Sequence, residues 1–166
     1  MKMMPTETSI PEKIEEWIDN TLLSFSNDKV CCECLTPYFN GFYPPGFLKE
    51  SFFVVVDALP KPDFPELQKV GLGDFIDTDF NGITYKNHYF IRMGHHEDFG
   101  LHFHELVHVF QWRFLGAQSF IRRYVDEYLK YGYEKAPLEV MAYALESHYR
   151  SKGKAFDVPQ YIQRCL

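Results

Sequence analysis

The sequence predicts an α+β domain, a small β-sheet with an edge hairpin packed against helices. Three observations predict it. Ser51-Phe52-Phe53-Val54-Val55-Val56-Asp57 reads as a buried central strand, and Ile83–Tyr85 and His88–Arg92 flank Lys86-Asn87 as a hairpin. After Asp98, apolar residues recur at helical spacing almost to the end of the chain. At 166 residues the chain fits one domain, 1–166, large enough to bury a core without disulfides.

Taken in order, the first element expected is an amphipathic helix from Ile10 to Leu23. Ile10, Ile14, Trp17, Ile18 and Leu22 form its apolar stripe, Pro11 lies near its start, and Glu12, Glu15 and Glu16 face outward. Pro37, Gly41, Pro44, Pro45 and Gly46 then break the chain too often for long regular structure before the central strand. Pro60, Pro62, Pro65, Gly71 and Gly73 mark a second irregular connection leading to the hairpin, so helix and strands together occupy residues 10–93. Asp98 can cap a helix running to about Leu115, with Gly116 taking a left-handed stop. Two more helices follow, from Ser119 to about Tyr131 and from Pro137 to about Arg150, with Pro137 suited to a first turn.

Composition removes several classes of function. A net charge of −6, with no run of five or more Lys and Arg, leaves no electrostatic footprint for a nucleic-acid backbone. The N-terminal stretch MKMMPTETSIPEKIEEW has no apolar export signal, and no run of about 18 apolar residues occurs, so a cytoplasmic protein without membrane contact is expected. Cys31, Cys32, Cys34 and Cys165 lack the even spacing of a disulfide framework and are read as free thiols. Aromatic residues at 17% suggest a core rich in Phe and Tyr or an aromatic-lined cleft.

The chemistry is concentrated in His104-Glu105-Leu106-Val107-His108, inside the helix that Asp98 opens. Histidines four apart project from one face of a helix, one turn apart, and can bind a single ion. Zn²⁺ lowers the pKa of a bound water to about 7 and polarises a carbonyl, while a carboxylate such as Glu105 takes the proton and hands it to the leaving amine. A catalytic zinc needs a third protein ligand and one open position, and Glu139 on the last predicted helix is the candidate. Glu146, two turns further along the same face, is the alternative ligand.

These residues resemble a known family. HELVH followed after 30 residues by Glu139, within Pro137-Leu138-Glu139-Val140-Met141-Ala142-Tyr143, resembles the HExxH-plus-Glu pattern of gluzincin zinc metallopeptidases, above all compact, minigluzincin-like bacterial domains. The likeness spans roughly residues 83–149, through the runs HELVHVFQ and GYEKAPLE. It implies a zincin-like fold, His104, His108 and Glu139 as zinc ligands, Glu105 as general base, and a peptide or protein substrate in a cleft along the edge strand. One departure stands out: many gluzincins carry an Asp four residues after the ligand Glu to orient a zinc-bound histidine, and this chain has Tyr143 there.

The remaining candidates have plainer explanations. His102 lies about 200° around the helix from His104, so His95, His96 and His102 are expected at the surface or behind the ligands. Tyr131, Tyr133 and Tyr143 lie near the carboxylate segment, where a hydroxyl of Tyr133 or Tyr143 can stabilise an oxyanion, although core packing is the commoner use of such residues. Two rivals to a peptidase follow from the same motif: a non-catalytic zinc-stabilised interaction domain, and a zinc hydrolase of a non-peptide amide.

Overall fold

Ser9 opens the first helix, its hydroxyl accepting from the Glu12 N–H, and Pro11 fits the first turn of α1 (Ile10–Ser24), which buries Ile14 and Ile18. The fold is taken from a computed structural model that describes residues 8–166. Residues 1–7, part of the stretch read above as lacking an export signal, lie outside the described residues.

Four strands form one open sheet: β1 (Val30–Cys31), β2 (Phe52–Val56), β3 (Gly82–Tyr85) and β4 (His88–Arg92), in the order β1-β2-β4-β3. The predicted hairpin is present, β3 pairing antiparallel with β4 so that Tyr85 lies opposite His88. Its tight turn puts Lys86 at φ 59, a left-handed conformation that costs a residue with a Cβ. The Lys86 ammonium is in turn held by Glu15 and Asp19 of α1, each at 2.7 Å. The predicted strand β2 lies inside the sheet, parallel to β4 with Val54 beside Phe90. Side chains alternate along β4: Tyr89 and Ile91 join one hydrophobic cluster and Phe90 the other, so both faces of the sheet are covered.

The stretches read as irregular hold short elements that one apolar period is too brief to announce. They are a 3₁₀ segment at Cys32–Tyr38, α2 (Pro45–Lys49), α3 (Pro65–Lys69) and α4 (Gly73–Asp77). Three long helices follow, α5 (Phe99–Leu115), α6 (Ala117–Tyr131) and α7 (Pro137–Arg150), close to their predicted bounds. Gly116 does stop α5, but at φ 84 and ψ 154, an extended positive-φ conformation and not the left-handed stop expected. A further helix, α8 (Val158–Cys165), was not anticipated after α7; Asp157 caps it and Val158 and Ile162 are buried. None of the described helices is long and apolar enough to cross a membrane.

α5 runs through the centre of the molecule. On one side Phe103 is completely buried and packs edge-on or tilted against Phe39, Phe42 and Tyr43, and stacks on Tyr149 at 4.7 Å. That aromatic layer holds the helix against α7 and leaves its opposite side to the histidines. Phe103→Ala should therefore cost about 3–5 kcal/mol in thermal or chemical denaturation; a loss below about 1 kcal/mol would mean that the ring does not anchor α5.

Candidate metal centre

Two helix starts position the site. The Asp98 carboxylate accepts from the Leu101 N–H and so fixes where α5 begins. α7 begins at Pro137 without a side-chain cap of its own, and Glu127 of α6 supplies one, its Oε1 accepting from the Leu138 N–H at 2.8 Å. Arg123 holds the other Glu127 oxygen at 2.9 Å, which keeps this buried carboxylate paired. Glu139 thus sits in the first turn of α7, where the helix dipole favours a negative charge, and faces α5.

Three donor atoms converge there. Nε2 of His104 and Nε2 of His108 lie 3.2 Å apart, and Oε1 of Glu139 lies 3.1 Å from the first and 3.0 Å from the second. The opposite edge of each imidazole is already committed. His104 Nδ1 faces Oε1 of Glu146 at 2.9 Å, and His108 Nδ1 faces Oε1 of Gln111 at 2.7 Å. The Gln111 amide nitrogen donates to the Leu138 carbonyl at 3.1 Å, so its oxygen is the atom turned to His108. Both partners are acceptors, so each Nδ1 must carry the proton. When neutral, each ring then presents a bare lone pair at Nε2, beside an anionic oxygen. Three lone pairs within hydrogen-bonding distance and no proton between them repel, and a cation relieves the repulsion. A metal ion fits: the ligand atoms lie within 4.8 Å of one another, and two imidazoles with one carboxylate form a three-ligand set with one position open.

The titration of these groups has the same cause. Burial by itself would lower His104, but the Glu139 and Glu146 carboxylates override it and push this histidine up to about 10. His108 is likewise raised against its burial, chiefly by Glu139. Burial opposes ionisation of Glu139 too, yet the two histidines hold it far below the usual carboxylate range. Glu105 moves the other way, its pKa raised by burial despite the nearby His104 and His108.

Glu105 lies outside the His104–His108–Glu139 cluster, between it and the sheet. The Thr84 hydroxyl of β3 donates to the Glu105 backbone carbonyl at 3.2 Å and approaches its carboxylate at 3.5 Å. Gly82 leaves room for that carboxylate, because a Cβ there would stand 3.1 Å from it. The other Glu139 oxygen accepts from the Tyr124 hydroxyl at 2.7 Å. Tyr143 sets its ring edge-on to His104 at 4.5 Å, and its hydroxyl meets that of Tyr133 at 3.0 Å.

His104, Glu105, His108 and Glu139 come together as the spacing predicts, while Glu146 stands on the far side of the His104 ring, facing its Nδ1 and outside the His104–His108–Glu139 cluster. Arg150 holds the second Glu146 oxygen at 2.6 Å. Two expectations need correction. Tyr143 and Tyr131 are exposed and Tyr133 is only half-buried, so none of the three is a core residue: Tyr131 ends α6, Tyr133 lies in the loop after it, and Tyr143 is on the outer side of α7. His102 is not at the surface: it is buried in the aromatic layer behind α5, its Nδ1 2.7 Å from the Tyr89 hydroxyl and its Nε2 2.8 Å from the His96 carbonyl. Gln111 and Tyr124 were not singled out from the sequence. Gln111 lies three residues after His108 on the same helix and was legible; Tyr124 was not, because only tertiary packing brings α6 to Glu139.

Compared with protein-family models, with curated proteins and with solved structures, the chain finds no match.

At pH 7 a histidine with a pKa of about 10 is protonated, and a metal requires it neutral, so loading should expel at least one proton. Calorimetry in buffers of different ionisation enthalpy should show this as a buffer-dependent heat, with affinity rising about tenfold per pH unit from pH 6 to 9. Heat and affinity independent of buffer and pH would overturn the proton assignment. Gln111→Ala should weaken metal binding by roughly 10–100-fold while leaving the stoichiometry unchanged.

Proposed function

We propose that this protein is a zinc-dependent metallopeptidase of the gluzincin kind, with a zincin-like fold. The observation that carries the proposal is the convergence of His104, His108 and Glu139 with both Nδ1 edges already occupied, beside a separate buried carboxylate at Glu105. When bound, zinc supplies Lewis acidity and an activated water.

The chain's own groups do the rest. Glu105 takes a proton at a carboxylate oxygen and returns it to the leaving nitrogen; its raised pKa brings it closer to the pH at which it must both accept and donate. Glu146 and Gln111 hold the two imidazoles in the tautomer that leaves Nε2 free. Tyr124 fixes the second Glu139 oxygen and so favours one-oxygen ligation. The paired hydroxyls of Tyr133 and Tyr143 can donate to an oxygen that gains charge as a carbonyl is attacked. β3 is the last strand of the sheet, its outer edge unpaired among the described residues, and an extended peptide can add main-chain hydrogen bonds there.

One observation favours a second assignment, a zinc-stabilised domain without catalysis: the four motif side chains are only 3–5% exposed. Against it, structural zinc sites are closed by four protein ligands, and this cluster offers three.

Glu105→Gln should keep about one metal per chain and lose at least about 100-fold in hydrolysis of a peptide mixture, whereas His108→Ala and Glu139→Ala should lose the metal itself. Metal content by mass spectrometry, read beside peptide cleavage, separates these outcomes. A fully active Glu105→Gln would remove the base assignment, and a wild type that holds zinc but cleaves nothing would favour the non-catalytic domain.

A further inference from the structure

Cys31, Cys32 and Cys34 stand together where β1 ends and the 3₁₀ segment begins, and the metal centre uses none of them. Cys31 is the residue that opens the segment, and Cys34 is the third residue within it. In a 3₁₀ turn side chains three residues apart eclipse, and a rise of about 2 Å per residue separates their Cα atoms by about 6 Å. A disulfide spans about 4.4–6.8 Å, so this spacing suits one. Cys34 is exposed and Cys31 half-buried, which lets a small molecule reach the pair at Cys34. Burial and the neighbouring Cys31 thiol both raise the Cys34 pKa, the second being a repulsion that closely placed sulfurs feel. The Cys31 sulfur is free to turn: its S–H donates to the Lys49 carbonyl at 3.4 Å, and a thiol is a weak donor. Cys32 differs from both. It is completely buried, donates to the Tyr89 hydroxyl at 3.6 Å, and is pushed up to about 12 by burial, so it keeps its proton.

We propose that Cys31 and Cys34 form a thiol–disulfide exchange site, a dithiol that a small-molecule disulfide of the glutathione type oxidises reversibly. The Cys34 thiolate attacks one sulfur of the incoming disulfide, one glutathione thiolate leaves, and a mixed disulfide forms at Cys34. The Cys31 thiolate then attacks the Cys34 sulfur, and the second glutathione thiolate leaves. The protons of the two cysteines end on the departing thiolates. The protein thus loses two hydrogen atoms, oxidised glutathione becomes two molecules of reduced glutathione, and excess thiol reverses the reaction. Neither the metal centre nor the hydrolase assignment enters this chemistry. The bridge acts locally, because the loop it closes holds few residues. It fixes the first turn of a segment that continues through the buried Leu35 to Phe39, whose ring packs edge-on against Phe103.

The test treats metal-free, full-length protein with oxidised glutathione at about pH 8, where thiols begin to ionise. After an acid quench and alkylation of free thiols, cleavage at Lys and Glu cuts the chain at Lys29, Glu33 and Lys49. The fragments on either side of Glu33 should stay joined until dithiothreitol is added. Cys165, exposed at the end of α8 and without a thiol three residues away, should instead carry one glutathione. Cys31→Ser and Cys34→Ser should each abolish the joined fragments. In glutathione mixtures, a tenfold rise in the reduced form at constant oxidised form should raise the ratio of dithiol to disulfide about 100-fold, since two thiols are released. A mere tenfold response, or separate fragments with glutathione on Cys34, would mean that the two sulfurs do not meet and would overturn the proposal. Joined fragments that persist in Cys31→Ser would give the bridge to Cys32 and overturn it as well. So would unmodified Cys31 and Cys34 beside a modified Cys165.

Discussion

Everything at the centre of this protein follows from three lone pairs pointed at one spot. Two imidazoles whose Nδ1 atoms are tied to acceptors must present bare Nε2 atoms, and Glu139 adds an anionic oxygen between them. Such an arrangement is stable only around positive charge. A proton meets the need, which is why His104 is pushed up to about 10, and a divalent ion could meet it by accepting from all three atoms at once.

Holding three repelling atoms together takes a stiff frame, and the frame is built from the opposite side of α5. Phe103 and the rings around it fill the space behind the helix, and the buried pair of Tyr89 and His102 closes the layer toward the sheet. α7 is fixed independently at both ends of the site. Glu127 caps its start beside Glu139, and about three turns later Arg150 joins Glu146 to Asp98, the residue that caps α5. The chain of contacts Asp98–Arg150–Glu146–His104 therefore links the register of one helix to the ring orientation of a ligand on the other.

The sheet contributes to the surroundings of the cluster and not to its three facing atoms. β3 sets Thr84 and Gly82 against Glu105, the first as a donor and the second by having no side chain, and its outer edge pairs with no further strand among the described residues. The same edge borders a cavity whose deeper walls come from α1, α6 and the short helices between β2 and β3. The first 80 residues, which carry none of the motif, thus supply much of the cavity wall.

The sequence by itself determined the features that depend on local periodicity and spacing. The four-residue interval puts His104 and His108 on one face of a helix, Asp98 and Gly116 bound that helix, and alternation across Lys86-Asn87 makes the hairpin, because each of these is a property of a few consecutive residues. Tertiary structure alone decided the rest. Glu139 and Glu146 lie on the same face of α7, and only the way α7 crosses α5 turns the first toward Nε2 and the second toward Nδ1. The parallel pairing of β2 with β4, the hydroxyl that Tyr124 sends to Glu139, and the burial of His102 join residues distant in sequence or depend on packing around them. No local pattern encodes these, since they are set by how the helices and the sheet fill space against one another.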